Sequence, residues 1–271
     1  MCRKLVAVVV LCLTIISVFT GCSIQPSKDY GVFLNVREGL DDLGDYRTVV
    51  IDAQFFTAKD IRDFKAKGHK VLSYINVGSL ENDRTYYKNY LSLALGKYEH
   101  WEDEVWMDVS DRRWQTFILD DLAPSLRNKG IDGFFVDNCD VYYYYPTPEI
   151  MDGLTVIMKG LVNTNLDVIM NGGDYFIDTY CENGGSWDQV ITGINQETVF
   201  SEIEWDEDTF SSADDEDHAY FCDYVERYGD MGAEIYLLEY TTDKELIDRV
   251  DSYCKEHGYK YYVADSLLLD K

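Results

Sequence analysis

The polar residues of this chain that have the means for chemistry recur in one setting: each closes a short apolar run. Asp52 ends VVID, and Asp137 ends GFFVD with Asn138 and Asp140 behind it. Asn171 ends VIMN just before Gly172 and Gly173, Gln196 and Glu197 follow ITGIN, and Asp265 follows YYVA. Tyr74 and Asn76 lie in VLSYIN, and Glu239 and Tyr240 end IYLLEY. A carboxyl directly behind four apolar residues is costly to bury without a partner, so Asp137 above all needs a use. Paired carboxylates suit glycosidic-bond cleavage: one protonates the departing oxygen, and the other attacks the anomeric carbon or activates water. The 22 Tyr, 12 Phe and 5 Trp supply flat faces for sugar rings, and the amides and carboxylates supply partners for hydroxyls. The sequence holds no Ser-His-Asp set, nucleophile elbow or Cys-x-x-Cys spacing, and His69, His100, His218 and His257 are scattered. Neither a metal nor a cofactor is expected.

These residues share a site only if the runs that carry them lie side by side. The runs predict strands at Tyr30–Asn35, Thr48–Ala53, Lys70–Val77, Ile131–Asp137, Leu166–Asn171, Gln189–Asn195, Glu234–Tyr240 and Tyr259–Ala264. Most are apolar on successive residues, the mark of strands covered on both faces, as in a parallel sheet wrapped by helices. Helical patterns lie between them. One starts at a Thr57 cap and stops at Gly68, and another runs from an Asp243 cap to Gly258. Eight strands alternating with helices over about 250 residues predict a single (β/α)8 TIM barrel spanning residues 30–271. An open doubly wound sheet is the alternative, but no GxGxxG or GxxxxGK[ST] loop supports it. In the barrel, the strand-end residues ring one mouth. Two connections are long. Gly78 to Gly130 carries Trp101, Trp106 and Trp114 and is expected to fold over the mouth; Glu197 to about Gly229 carries the acidic SEIEWDEDTFSSADDEDH. The acidic stretch lacks the spacing of an EF-hand loop and is expected to be a solvated wall rather than a calcium site.

The N-terminus reads as an export signal: Arg3 and Lys4, an apolar run from Leu5 to about Phe19, then Thr20-Gly21-Cys22. The run is too short to span a bilayer, and Cys22 is placed as in a lipobox, with Phe19 where Leu is usual. Residues 1–21 are therefore expected to be a lipoprotein-type signal. Cys22 would be the lipidation site, residues 22–29 a tether, and the protein would sit on the outer face of a bacterial membrane; plain secretion and an uncleaved anchor are the alternatives. Loss of Arg3 and Lys4 takes the formal charge of −26 to −28. Such a chain is a poor nucleic-acid binder and favours a cationic partner. Cys139, Cys181, Cys222 and Cys254 allow three pairings, among which the sequence does not choose.

Six stretches together resemble glycoside hydrolase family 114, the endo-α-1,4-polygalactosaminidase-like barrels. They are YRTVVIDAQFF, KVLSYINVGSLENDRTYY, EVWMDVSDRRWQTFIL, GIDGFFVDNCDVY, DVIMNGGDYF and ITGINQETVF, in the family's order across nearly all of residues 30–265. The resemblance implies an endo-acting hydrolase of α-1,4-linked galactosamine polymers, with Asp137 as nucleophile and Glu197 as acid/base. Asp52, Tyr74, Asp140, Asn171, Glu239 and Tyr240 would line the sugar subsite. The implied substrate is a cationic polysaccharide, which an acidic cleft attracts. Departures are the missing Trp near the start of YGVFLNV, and Gln196 with the acidic stretch after it. GIDGFFVD is also similar to the chitinase D-x-x-D-x-D-x-E stretch. Phe135 and Cys139 stand where that stretch has acids, which disfavours substrate-assisted chemistry. A barrel that binds sugar without cleaving it is the competing reading.

Overall fold

Eight apolar runs pair in chain order as one parallel sheet: β1 (Lys28–Phe33), β2 (Tyr46–Ile51), β3 (Lys70–Asn76), β4 (Gly133–Asp137), β5 (Asp167–Asn171), β6 (Gly193–Glu197), β7 (Glu234–Tyr240) and β8 (Lys260–Ala264). The computed structural model describes residues 26–99, 101–205 and 209–270. The expected signal, Cys22 and residues 23–25 of the tether lie outside these residues. β1 and β8 come together, so the sheet curls into a nearly closed (β/α)8 barrel. Phe33 and Tyr262 pack across that seam with ring centroids 5.3 Å apart. Asn35 ties the end of β1 to the C-terminal segment, donating through its side chain to the Leu268 carbonyl at 2.6 Å. Val49, Val50, Val71, Leu72, Phe134, Val136 and Ile169 are wholly buried although they alternate between the two faces of the sheet. That is why the runs read as continuous rather than alternating.

The strand bounds follow the sequence to within two residues except at β6. Trp187–Gln189 is a 3-10 turn, and Val190 and Ile191 are buried in the approach to the strand rather than in it. The ladder begins at Gly193, where an added Cβ would lie 2.4 Å from the Glu234 carbonyl oxygen of β7. Apolar character marked burial there, and the strand starts where the bare backbone lets two strands close up. As a result Glu197 is the last residue of β6.

Both predicted helix signals are realised. α1 (Ala58–Lys65) opens with a reciprocal capping box between Thr57 and Asp60. The other long helices are α2 (Pro148–Val162), α3 (Asp174–Glu182), α4 (Asp215–Asp230) and α5 (Lys244–His257). Asp243 caps the start of α5, and Gly258, at φ 74°, ends it.

The two long connections fold. After β3, strands Ser79–Glu81, Ala94–Lys97 and Glu104–Met107 form an antiparallel sheet beside the mouth. After β6, Ser201–Glu204 pairs with Thr209–Ser212 as a hairpin, and α4 follows. The acidic stretch is thus no plain solvated loop. Asp214 caps α4 through bonds of 2.9 Å from the Glu216 and Asp217 amides, and Asp215, Glu216 and Asp217 fill the first turn, where the helix dipole favours negative charge. Cys139, Cys181, Cys222 and Cys254 are free thiols. Among the described residues no helix is long and apolar enough to cross a membrane.

Candidate active site

The C-terminal ends of the strands surround a cavity of about 590 Å³, lined by residues that include Asp137, Asn171, Glu197 and Tyr240. Asp137 ends β4 and Glu197 ends β6, with Asn171 at the end of β5 between them. The Asn171 side-chain nitrogen donates to Asp137 Oδ1 at 2.9 Å and to Glu197 Oε1 at 2.7 Å. One planar NH2 group thus serves both carboxylates. Linear bonds along its two N–H directions, about 120° apart, would put the accepting oxygens roughly 5 Å from each other. The amide cannot rotate freely. Its oxygen accepts from Asn195 Nδ2 at 2.7 Å, and Asn195 in turn accepts from the buried Tyr30 hydroxyl at 2.9 Å.

The second Glu197 oxygen accepts from the Tyr240 hydroxyl at 2.7 Å. Burial and the nearby Glu197 hold the Tyr240 phenol well above its ordinary pKa, so it stays a donor. Burial raises Glu197 above the usual glutamate range, and its bonds from Asn171 and Tyr240 oppose this. Burial pushes Asp137 up to about 6; the Glu197 charge adds to this, while the Asn171 hydrogen bond and the nearby Tyr74 hydroxyl pull it down.

The backbone is strained directly after both acids. Asn138 has φ 66° and Thr198 has φ 57°, the latter a β-branched residue in the left-handed region. Each turn is held from outside. Asn138 donates to Ser79 Oγ at 3.1 Å, and an added Cβ on Gly78 would lie 1.7 Å from the Asn138 carbonyl oxygen. Only glycine lets the connection after β3 leave against that turn. Beyond Thr198, the backbone amides of Val199, Phe200 and Ser201 all donate to the Glu239 carboxylate at 2.9–3.2 Å, and Ser201 Oγ adds a bond of 2.6 Å.

The structure therefore divides the residues singled out in the sequence. Asp137, Glu197, Tyr74, Asp140, Asn171 and Tyr240 all line the cavity. Asp52 and Glu239 do not line it. Asp52 is 2% exposed, pairs with Arg84 and accepts from the Gln54 amide at 2.9 Å. Glu239 is wholly buried and serves the Val199–Ser201 loop, because β7 directs successive side chains to opposite faces and Tyr240 is the one that meets Glu197. Asp140 accepts from the Gly173 amide at 3.2 Å, and burial together with Asp174 and Asp137 pushes it up to about 7.

Other lining residues escaped the sequence reading. Glu104 comes from the connection after β3, not from a barrel strand. Ser79 Oγ receives N–H donors from Asn76 at 2.7 Å and Asn138 at 3.1 Å, so its own proton goes to Glu104. Burial and the nearby Glu81 push Glu104 up to about 8. Trp101 and Trp205, from the two long connections, meet at the mouth with ring centroids 6.1 Å apart. Trp101 lies in the connection that the sequence placed over the mouth, whereas Trp205, within the acidic stretch, was not singled out. Among the described residues no His, Cys, Asp and Glu group has the arrangement to hold a metal ion.

This arrangement can keep one carboxyl protonated and the other an anion, both facing the cavity. A family model described as glycoside-hydrolase family GH114 matches residues 24–268. The fold is similar to the glycoside hydrolase domain of PelA from Pseudomonas aeruginosa, with a TM-score of 0.73, 18% identity, and coverage of 90% of this chain and 96% of that one. It is also similar to Aspergillus fumigatus Ega3, solved in complex with galactosamine, with a TM-score of 0.69, 15% identity, and coverage of 90% and 93%. An α-amylase, AmyB from Thermotoga neapolitana, shares the fold more distantly, with a TM-score of 0.55, 13% identity, and coverage of 90% and 68%. Compared with the curated proteins, the chain matches none.

Proposed function

Because the chain belongs to glycoside-hydrolase family GH114, we propose that it is an endo-acting hydrolase of α-1,4-linked galactosamine polymers that works by double displacement. The observation that carries the mechanism is the single Asn171 amide shared by Asp137 and Glu197. It supports a carboxyl separation in the retaining range of about 5–5.5 Å rather than the 6.5–9.5 Å that leaves room for an inverting water.

Asp137, ionised, attacks the anomeric carbon while Glu197 gives its proton to the departing glycosidic oxygen. The C–O bond breaks, and an ester to Asp137 forms. Glu197, now a carboxylate, takes a proton from water as that water attacks the same carbon and releases Asp137. Asn171 holds both groups in register. A cationic amino sugar is supported by the acidic surroundings of the cavity, where Asp140, Asp174 and Glu202 join the pair, and by the galactosamine bound to the similarly folded Ega3.

Asp137→Asn and Glu197→Gln are each expected to lower turnover on the order of a thousandfold while leaving the thermal transition in place. The soluble domain is incubated with α-1,4-galactosamine polymer, and new reducing ends are measured; NMR of the first product should show the α anomer. A β anomer would refute the retaining assignment, and binding without new ends would make the protein a sugar-binding barrel.

Export and a lipid on Cys22 are part of the same proposal, supported by the N-terminal sequence pattern. Metabolic labelling with a fatty acid is expected to mark the wild type and not Cys22→Ala.

A further inference from the structure

Beside the cavity, on the side of β4 and β5, lies a cluster of exposed aromatic rings. Tyr143 is 62% exposed, Tyr144 44% and Tyr175 43%. Tyr143 meets Tyr144 edge-on at 5.3 Å and Tyr175 at 5.8 Å, and Tyr175 stacks on Tyr142 at 5.3 Å. Tyr144 leans on buried Trp106 at 4.8 Å, and Trp106 stacks at 4.2 Å on Tyr98, which lines the cavity. The exposed rings thus connect to the cavity wall by direct packing, with buried Trp106 as the link between Tyr144 and Tyr98. Isolated exposed aromatics need no explanation, but a contiguous set beside a cleft marks a binding surface.

Two cavity-lining acids stand where the rings begin. Asp140 directly precedes the Val141–Tyr144 helix, and Asp174 is the first residue of α3, next to Tyr175. Asp174 and Asp137 both repel the charge of Asp140.

We propose that Tyr143, Tyr144 and Tyr175 form an outer subsite for the same polysaccharide chain, holding sugar rings that have left the cavity. The inference rests on the hydrolase reading above. Its occupant follows from continuity with the cavity and from charge. Ring faces stack on pyranoses, the electron-rich tyrosine faces attract ammonium groups, and Asp140 and Asp174 carry the negative charge along the path. Such a subsite adds binding only for chains long enough to reach it, so it makes the enzyme favour polymers over short oligomers.

The test compares kcat/KM on α-1,4-galactosamine polymer with kcat/KM on a tetramer. The double variant Tyr143→Ala/Tyr175→Ala is expected to lose about two- to fivefold per ring on polymer and nothing on the tetramer. Tyr175→Trp, which keeps a ring face, is expected to retain polymer activity. Equal losses on both substrates, or no loss on polymer, would overturn the subsite. If wild type cleaves neither substrate, the hydrolase reading fails, and affinity electrophoresis in polymer-containing gels then decides the subsite separately. Weaker retardation of the double variant than of wild type supports it, and equal retardation overturns it.

Discussion

One amide nitrogen serving two carboxylates makes Asn171 the residue whose removal is most informative. The bond from Asn171 is among the interactions that hold Asp137 down to about 6 against burial and the Glu197 charge. In wild type, kcat/KM should fall on the acid side with a midpoint near 6, as Asp137 takes up a proton and stops being a nucleophile. In Asn171→Ala that midpoint should move to higher pH, because the hydrogen bond that favoured the anion is gone while the desolvation remains. An unmoved acid limb, measured over the same buffers, would mean that Asn171 does not hold the pair. Asn171 was legible in the sequence because it ends an apolar run. Its partner Asn195 was not. It lies mid-strand in β6, and nothing in ITGIN distinguishes a buried polar residue aimed at a neighbour from an ordinary strand residue.

At the scale of elements, the barrel strands could be read because burial on both faces leaves an apolar run with a definite end. What could not be read is which of two adjacent end residues faces the cavity. That depends on where a strand begins its alternation, and the start of β6 was misplaced by four residues. The folded connections were opaque for a different reason. Glu104 sits on a short antiparallel strand whose only periodic signal is shared with the loops around it. Glu239 illustrates how a residue one position from the cavity still controls it. By collecting the amides of Val199, Phe200 and Ser201, it fixes the loop that holds Thr198 in the left-handed region and turns Glu197 toward Asn171. Glu239→Gln keeps the volume and one accepting oxygen but loses the carboxylate's second acceptor. It is expected to cost about 1–3 kcal/mol of stability and to lower kcat more than it raises KM. Thermal melts and steady-state kinetics on the same preparation check both. Full kcat in a destabilised variant would restrict Glu239 to a structural role.

For the whole molecule, the acids that make the site also set how stability depends on pH. Asp137 is pushed to about 6, Asp140 and Glu239 to about 7, and Glu104 to about 8, each chiefly by burial. A carboxyl whose pKa is raised on folding binds more protons in the folded state than in the unfolded chain between the two values. Its contribution is therefore fully present below the unfolded value, near 4, and is lost as pH rises through the folded one. These four groups act in the same direction over the window from about 4 to 8. The rising negative charge of a chain already at −26 adds self-repulsion to the same trend. Carboxyls whose pKa is lowered, such as Asp60, Asp111 and Asp251, act the other way, but they lie at the exposed surface, where solvent screens them, and their effect falls at lower pH. The melting temperature should therefore be higher at pH 5 than at pH 8. Glu104→Gln removes the group with the highest folded value, so it should flatten the upper part of the curve and gain most at pH 8. Thermal melts of wild type and this variant across that range test the idea. A melting temperature that rises steadily from pH 5 to 8 would show that the barrel mouth tolerates ionised carboxylates, and that their proximity costs the fold little.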